Sequence, residues 1–496
     1  MTIAATRSGK VEGLEHNGVH VFRGIPYAAP PVGPRRWQPP AREEAWEGTR
    51  DATSFSPQSA QTEFSLTKIM GPAQPPYSED SLYLNVWTPG CDDARRPVMV
   101  WIHGGAFVWG AGDTPWYDGT KFARHGDVVV VTINYRLNAF GYLHLADLFG
   151  ERFAGSGNAG VLDQIAALHW VRECISAFGG DPDRVTVFGE SAGAASVATL
   201  LGTPSARGLF RGAIPQSGAA SWVASRERAT DIARGVVSRL GVGDDADALL
   251  AVPTDAILGA LPAFREDGAG SLPFEPVVDG TVLAEPPLAA IASGNAAGVR
   301  LLTGTNADEM TLFTVADPAI AALDDDAVRA RMRNAFGDAG VQVFESYRAR
   351  RPDVTPAELW TQLATDGVFR IPASRLLEAQ LAHAPAWSYL FTFSSPVFGG
   401  ILRSTHALEI PFVFDNLDRG GAEMLTGSGP ERQGIADAMH RAWIAFARDG
   451  DPNHAGLPEW PQYDVDRRAT MRFDAECKLL DDPGRVDREA YAPVAF

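Results

Sequence analysis

The strongest constraint on the fold is a five-residue turn between a predicted strand and a predicted helix. The apolar run 185–188 is followed by Gly-Glu-Ser-Ala-Gly at 189–193 and then by the small residues 194–198. A strand that breaks at Gly-x-Ser-x-Gly and continues as a helix is typical of a nucleophile elbow, a tight turn that holds a serine hydroxyl above a sheet. With 50 glycines in 496 residues the pattern alone is weak evidence, so Ser191 needs partners elsewhere in the chain.

Apolar strands alternate with amphipathic helices along the chain. A helix is predicted over 160–178, where apolar residues recur every three or four positions before Gly179-Gly180. Near-continuous apolar runs predict strands that are covered on both faces, and shorter extended runs predict further strands, at 19–22, 82–87, 97–102, 128–133, 300–304 and 387–392. This alternation predicts an α/β protein with a large, mostly parallel central sheet covered by helices.

The sequence favours one elaborated domain over 1–496, because it contains no repeat, low-complexity tract or flexible linker. Its first part, about 1–95, is rich in short strands and proline. Two helix-rich segments, about 222–298 and 315–385, are predicted to be insertions that form a cap around a site. A chain of this length can bury a large core.

Composition excludes several classes of function. The net charge of -18 disfavours nucleic-acid binding, which needs a cationic surface. Three widely spaced cysteines give neither a disulfide framework nor a zinc-binding pattern. Residues 1–10 contain no apolar stretch, so we expect no signal peptide, and no apolar run approaches the length that a membrane crossing requires. We therefore expect a cytoplasmic protein that binds neither nucleic acid nor membranes.

A serine nucleophile needs a base and an acid that orients the base. In α/β-hydrolases these residues follow the serine in the order Asp or Glu, then His. Four histidines lie C-terminal to Ser191, namely His383, His406, His440 and His454. The residues alone leave the choice among them open, and they leave the acid open as well.

Further motifs occur in order nearly from end to end of the chain. They are Phe-Arg-Gly-Ile-Pro-Tyr-Ala at 22–28, Ser-Glu-Asp-Ser-Leu-Tyr-Leu-Asn-Val at 78–86, Asn-Tyr-Arg-Leu at 134–137, Phe-Gly-Gly-Asp-Pro at 178–182, Gly-Thr-Asn-Ala-Asp-Glu at 304–309, His-Ala-Leu-Glu-Ile-Pro-Phe-Val-Phe at 406–414 and Trp-Pro at 460–461. With these motifs the sequence resembles the type B carboxylesterase/lipase family, and in particular the bacterial para-nitrobenzyl esterases. The resemblance implies an α/β-hydrolase fold with helical cap insertions.

The resemblance also implies a catalytic triad. The family's nucleophile falls on Ser191, its acid on Glu309 and its histidine on His406, although Met310 replaces the glycine that follows the acid in the family.

Ser81 stands where secreted animal members carry a disulfide cysteine, in agreement with a reducing compartment. His406 and Glu409 have the spacing of metal ligands on a helix, but a second pair of ligands is absent from the sequence, and we expect neither a metal nor an organic cofactor.

An oxyanion hole is the remaining requirement of the chemistry. One donor is expected to be the backbone N–H of Ala192, the residue after the nucleophile. The resemblance assigns the others to the N–H groups of Gly105 and Ala106, with Gly104 allowing the turn. Glu190 is a candidate for electrostatic support of the histidine. Ser217 is a candidate for support of the triad carboxylate, and either residue could instead be a buried polar side chain without a role.

These expectations combine into a serine carboxylesterase that acts on a small-molecule ester through an acyl-enzyme. The same triad could serve acyl transfer to an alcohol, or cleavage of a carbamate or amide, and a non-catalytic binding member of the fold is the remote alternative. Aromatic residues are candidates for the pocket wall or for plain core: Phe107, Trp109, Phe313, Phe393 and Phe398. The sequence leaves the ester and the oligomeric state open.

Overall fold

A sheet of 13 strands organises the computed structural model, which describes residues 1–62, 76–261 and 272–495. Residues 63–75 of the predicted β-rich part and 262–271 of the first predicted cap segment lie outside the described residues. The strands are β1 (Thr2–Ala5), β2 (Lys10–His16), β3 (Val19–Pro26), β4 (Thr49–Asp51), β5 (Gln58–Ser59), β6 (Tyr77–Ser78), β7 (Tyr83–Thr88), β8 (Arg96–Ile102), β9 (Val129–Ile133), β10 (Gly180–Glu190), β11 (Gly212–Gln216), β12 (Ala224–Ser225), β13 (Val277–Val278), β14 (Arg300–Asn306), β15 (Ala386–Phe391), β16 (Ala469–Phe473) and β17 (Lys478–Asp481).

Helices connect the strands and cover both faces of the sheet. The α-helices are α1 (Thr120–Gly126), α2 (Asn138–Tyr142), α3 (Ala146–Phe149), α4 (Ala159–Cys174), α5 (Ala192–Gly202), α6 (Arg226–Leu240), α7 (Ala246–Ala251), α8 (Thr254–Ala260), α9 (Pro287–Ala292), α10 (Thr311–Thr314), α11 (Pro318–Ala321), α12 (Asp325–Arg350), α13 (Pro356–Thr365), α14 (Ile371–Gln380), α15 (Ile410–Val413), α16 (Glu423–Thr426), α17 (Glu431–Asp449) and α18 (Arg485–Ala490). A π-helix, Asp366–Arg370, joins α13 to α14.

The strand order along the sheet is β1-β2-β3-β7-β9-β8-β10-β11-β14-β15-β16-β17, with β4 beside β2. All pairs from β9 to β16 are parallel, and antiparallel strands extend the sheet at both sides. The prediction of a mostly parallel central sheet covered by helices, in the α/β-hydrolase fold, is confirmed. The carboxyl ends of the parallel strands share one edge of the sheet, where a ligand-binding crevice is expected.

Both faces of the sheet are buried, which explains the near-continuous apolar runs of its central strands. Along β8, Val98, Val100 and Ile102 belong to the core on one face. Met99 and Trp101 belong to the core on the other face. Successive side chains of a strand point to opposite faces, so a strand covered twice needs apolar residues at every position.

Two details differ from the predicted elements. The helix predicted to reach residue 178 ends at Cys174 and continues as one 3₁₀ turn, Ile175–Phe178, before Gly179 adopts a left-handed φ of 74°. The sequence analysis missed β11, because it is short and contains Pro215, a residue that usually argues against a central strand.

The described parts of the two predicted cap segments contain α6 to α9 and α11 to α14. In the described residues, no helix combines the length and the apolar character that a membrane crossing requires. Cys91, Cys174 and Cys477 are all free thiols.

Candidate active site

Ser191 occupies the sharp turn between β10 and α5. Its backbone has φ 57° and ψ -123°, an unfavourable conformation for a residue with a Cβ. The flanking glycines make the turn possible: a Cβ on Gly193 would lie 2.0 Å from the carbonyl oxygen of Ile102, and one on Gly189 would lie 2.5 Å from the same oxygen. The half-buried serine therefore stands at the carboxyl edge of the sheet, on a turn that only glycines can flank.

Glu309 and His406 meet at the same edge. Glu309 follows the end of β14, and His406 lies in the loop that precedes α15. The Nδ1–H of His406 donates a hydrogen bond to Oε2 of Glu309 over 2.7 Å. The other carboxylate oxygen of Glu309 accepts the backbone N–H of Asn306 at 2.7 Å. Because the carboxylate is fully buried, these two bonds fix its orientation and the tautomer of the histidine.

The second ring nitrogen of His406 faces Glu190. Nε2 lies 3.1 Å from Oε1 of Glu190, whereas Ser191 Oγ makes no hydrogen bond within the described residues. The site of the serine is nonetheless adjacent, because a Cβ on Gly104 would lie 2.9 Å from Glu190 Oε2 and 3.1 Å from Ser191 Cβ. The histidine is therefore held between two carboxylates beside the serine.

This arrangement shifts the protonation of both members of the pair. Burial opposes the charged imidazolium of His406, but the charge of Glu190 and the hydrogen bond from Glu309 outweigh burial and raise its pKa to about 9. Burial raises the pKa of Glu190 to about 8, against the opposing effect of His406. The structure thus favours a proton held between Nε2 and the Glu190 carboxylate at neutral pH.

The predicted oxyanion loop follows β8. Gly105 has φ 110° and Ala106 has φ 53°, and a Cβ on Gly105 would lie 2.0 Å from the carbonyl oxygen of Trp109. The backbone N–H groups of Gly105, Ala106 and Ala192 donate to no acceptor in the described part of the chain. His103 braces the loop, because its Nδ1–H donates to the Gly104 carbonyl at 2.8 Å, and burial lowers its pKa to about 4.

A buried polar network next to Glu309 was not predicted from the sequence. Asn306 Nδ2 donates to Oε2 of Glu409 at 2.7 Å, and Gln216 Nε2 donates to Oε1 of Glu409 at 3.0 Å. Trp443 Nε1 in turn donates to Gln216 Oε1 at 3.0 Å. Burial and the nearby charge of Glu309 raise the pKa of Glu409. Glu409 belongs to the motif at 406–414, which could have suggested it. The local sequence gives no signal that Asn306, Gln216 and Trp443 join it in a network.

Ser217 is buried beside the same strand ends, and its backbone N–H donates to the Gly304 carbonyl at 2.9 Å. Its hydroxyl has no hydrogen-bond partner among the described residues. The structure therefore shows no direct bond from Ser217 to the Glu309 carboxylate. The backbone N–H of Asn306 bonds to the Glu309 oxygen that does not face His406.

Two aromatic rings pack against His406. The Phe369 ring lies 4.8 Å from the imidazole between centroids, and the Phe313 ring lies 5.4 Å away. Phe313 was a predicted wall residue, whereas Phe369 has no sequence signal. Of the other candidates, Phe107 and Phe393 are buried, Phe398 is 70% exposed, and Trp109 is half-buried on the oxyanion loop.

The metal alternative finds no support in the geometry. Both carboxylate oxygens of Glu409 accept hydrogen bonds from side-chain amides, and His406 Nδ1 bonds to Glu309. Across residues 1–62, 76–261 and 272–495, no three His, Cys, Asp or Glu side chains are grouped as metal ligands would be.

Comparisons with known proteins match the chain over nearly its whole length. Residues 1–491 match the model of the carboxylesterase family. The para-nitrobenzyl esterase of Bacillus subtilis is 40% identical over 99% of this chain and 98% of its own length. The phenmedipham hydrolase of Pseudarthrobacter oxydans is 36% identical over 95% and 94% of the two chains. The crystal structure of the Geobacillus stearothermophilus carboxylesterase EST55 superposes with a TM-score of 0.91 at 45% identity, over 99% of this chain and 100% of that one.

Proposed function

Since the chain belongs to the carboxylesterase family and is a serine carboxylic-ester hydrolase, we propose that Ser191, His406 and Glu309 are its catalytic triad. The observation that carries the proposal is the 2.7 Å hydrogen bond between His406 Nδ1 and Glu309 Oε2, made beside a serine on a strained elbow. A buried carboxylate that orients a histidine next to such a serine is the arrangement that serine acyl transfer requires.

In the proposed reaction, Ser191 Oγ attacks the ester carbonyl carbon while Nε2 of His406 takes the hydroxyl proton. His406 then gives this proton to the alcohol oxygen, and the bond between that oxygen and the carbonyl carbon breaks. Water repeats the sequence on the acyl-enzyme, so that the carboxylic acid leaves and Ser191 regains its proton. To begin, Nε2 must exchange its contact with Glu190 for one with Ser191 Oγ.

We assign the oxyanion hole to the backbone N–H groups of Gly105, Ala106 and Ala192. Gly105 and Ala106 lie on the loop after β8, and Ala192 begins α5 directly after the serine. Three backbone donors without an acceptor in the described structure are suited to the oxygen that becomes negative in the tetrahedral intermediate. Removing one such donor typically lowers kcat by about 10²- to 10³-fold. Gly104 supports the hole sterically, since any side chain there would strike Glu190 and Ser191.

We assign Glu190 to electrostatic support. Its carboxylate lies 3.1 Å from the nitrogen that carries the proton during the reaction, so a negative charge there stabilises the imidazolium. Ser217 remains a weaker candidate for support, because a hydroxyl without a partner in the described structure could contact the Glu309 loop only through an intervening group.

We propose esters with apolar, ring-sized groups as substrates, because Phe313 and Phe369 flank His406 and aromatic walls favour such groups. The relatives are consistent with this class, since one is named para-nitrobenzyl esterase and another cocaine esterase.

The three free cysteines support the proposed cytoplasmic location. The net charge of -18 supports the prediction that nucleic acid is not a partner.

Replacing Ser191 by alanine tests the triad. We expect S191A to fold normally and to lose p-nitrophenyl butyrate hydrolysis by about 10⁴-fold or more, together with covalent labelling by a fluorophosphonate probe. The matched control is S293A, at an exposed serine, which should keep wild-type turnover and labelling. Turnover by S191A within tenfold of wild type would disprove the proposed nucleophile.

A further inference from the structure

The π-helix Asp366–Arg370 interrupts an otherwise continuous helical stretch formed by α13 and α14. Pro372 stands at the start of α14 and has no N–H to donate to a carbonyl one turn earlier, which explains a local widening at this point. A π-turn inserts one residue and so changes the direction of the side chains that follow. Such turns occur frequently at functional sites.

Two consecutive side chains of the π-helix contact the site: one packs on His406, and the next bonds to the turn that carries Glu309. The Phe369 ring packs on the imidazole of His406 at 4.8 Å. Nη2 of the Arg370 guanidinium donates to the Ala307 carbonyl at 2.7 Å and to the Asn306 carbonyl at 3.4 Å. These carbonyls belong to the turn at 306–310, here called the acid turn, which carries Glu309.

The acid turn is fastened to this helical segment at both of its ends. Arg370 holds the carbonyls at its start, and the Met310 N–H donates to Thr365 Oγ1 at 3.1 Å at its end. Between these points the N–H of Asn306 donates to the Glu309 carboxylate at 2.7 Å. A shift of the acid turn would therefore move the carboxylate relative to His406.

Arg370 is itself held in place by a buried acid. Its Nη1 donates a hydrogen bond to Oδ1 of Asp366. The other carboxylate oxygen of Asp366 accepts a hydrogen bond from the Tyr347 hydroxyl at 2.6 Å. Asp366 is 3% exposed. Because a guanidinium is rigid and planar, fixing one edge against Asp366 directs another nitrogen at the acid turn.

We infer that Arg370 is a positioning residue for the ester hydrolysis, which holds the acid turn so that Glu309 stays aligned with His406 Nδ1. Arg370 touches neither the serine nor the histidine, and its effect on the reaction passes through the backbone of residues 306 and 307. The inference rests on the proposed triad, in which Glu309 is the acid.

The test compares purified R370M, R370K and R96M with wild type on p-nitrophenyl butyrate. R370M should lower kcat by about 10- to 100-fold with KM within about twofold, because small misplacement of a catalytic group costs rate. It should also move the acid limb of the pH–kcat/KM profile to lower pH, since a poorly aligned Glu309 raises the pKa of His406 less. R370K keeps one donor for the Ala307 carbonyl and should recover at least half of the lost rate on a logarithmic scale.

R96M is the matched control. Arg96, at the amino end of β8, is also a largely buried arginine that bonds to an acid four positions away, Asp92, and to a backbone carbonyl. The site lies beyond the opposite, carboxyl end of β8, so R96M should retain kcat and the pH profile within about twofold of wild type. Equal losses in R96M and R370M would overturn the inference, as would an unchanged pH profile and kcat in R370M.

Removing Arg370 leaves Asp366 buried without its cation, so R370M is at risk of unfolding. The double variant R370M/D366N removes both charges and decides the question if the single variant does not fold. A fluorophosphonate probe separates the two proposals. Wild type without labelling at Ser191 contradicts the triad, whereas labelled wild type with an unaffected double variant contradicts the role of Arg370 alone.

Discussion

At the scale of single residues, the contact between Glu190 and His406 has the clearest consequence for activity. In the proposed reaction, His406 accepts a proton from the serine only when its own Nε2 is unprotonated. The carboxylate at 3.1 Å favours the protonated imidazole and raises the pKa of His406. Activity is therefore lost as the pH falls through a pKa that Glu190 has raised.

Replacing Glu190 by glutamine should extend activity to lower pH. E190Q removes the negative charge, so the pKa of His406 falls and the acid limb of the pH–kcat/KM profile moves down by about one pH unit or more. The plateau should fall as well, because the imidazolium loses support. E47Q, at an exposed glutamate, is the control and should leave the profile in place. An acid limb that stays fixed or moves up in E190Q would contradict this account.

Residue identities at the site were accessible to sequence reasoning to different degrees. The Gly-x-Ser-x-Gly pattern indicated Ser191 directly, and the family motifs indicated Glu309 and His406. The direction of a side chain was not accessible: Nε2 of His406 faces Glu190, and the hydroxyl of Ser217 contacts no partner in the described chain. Such contacts depend on loops from distant parts of the sequence.

At the scale of elements, the buried network around Glu409 joins the ends of β11 and β14 to α17. Gln216 ends β11, Asn306 ends β14, and Trp443 lies on α17. Glu409 accepts hydrogen bonds from both amides. Each oxygen of Glu409 thus serves as an acceptor for a donor that has been removed from water.

Replacing Glu409 by glutamine should destabilise the protein. In E409Q an amide NH2 replaces one acceptor oxygen and faces the NH2 group of Asn306 or Gln216, so a buried donor loses its partner. The expected cost is about 1–3 kcal/mol of unfolding free energy, measured as a lower midpoint in urea. E423Q, at an exposed position, should change the midpoint little. Equal stability of E409Q and wild type would show that the network relaxes without cost.

Elements with a strong periodic pattern were predicted well, and those defined by their neighbours were not. The strand ending at residue 102 and the helix over most of 160–178 follow from local hydrophobicity. By contrast β11 contains Pro215 between β10 and β14, and its position is set by burial between them. The π-helix at Asp366–Arg370 depends on one proline and on contacts with the acid turn, which no local pattern specifies.

At the scale of the whole molecule, the net charge of -18 creates a negative field around the protein. Such a field attracts cationic substrates and repels anionic ones, and salt screens it. The screening length falls from about 30 Å at 0.01 M to about 8 Å at 0.15 M ionic strength. Charge on the substrate should therefore make turnover dependent on salt.

A matched pair of esters tests this effect. We compare an acetate ester of a quaternary ammonium alcohol with its uncharged carbon isostere. The ratio of kcat/KM, cationic over neutral, should fall a few-fold as ionic strength rises from 0.01 to 0.15 M. The neutral ester serves as the internal control for salt effects on the enzyme. A ratio that is constant or rises would mean that charges near the site, not the total charge, determine association.

The sequence by itself determined the local and the inherited features: apolar runs that must be strands, a glycine-flanked serine turn, and motifs that identify the family and carry its proposed triad. These depend on residue type and spacing, which the chain carries from end to end. Only the tertiary structure decided which groups meet at the carboxyl edge of the sheet. Glu190 with His406, Asn306 with Glu409, and Arg370 with the acid turn are pairs separated by 63 to more than 200 positions. Their contacts arise because parallel strands end at one edge, and burial there makes each hydrogen bond costly to lose.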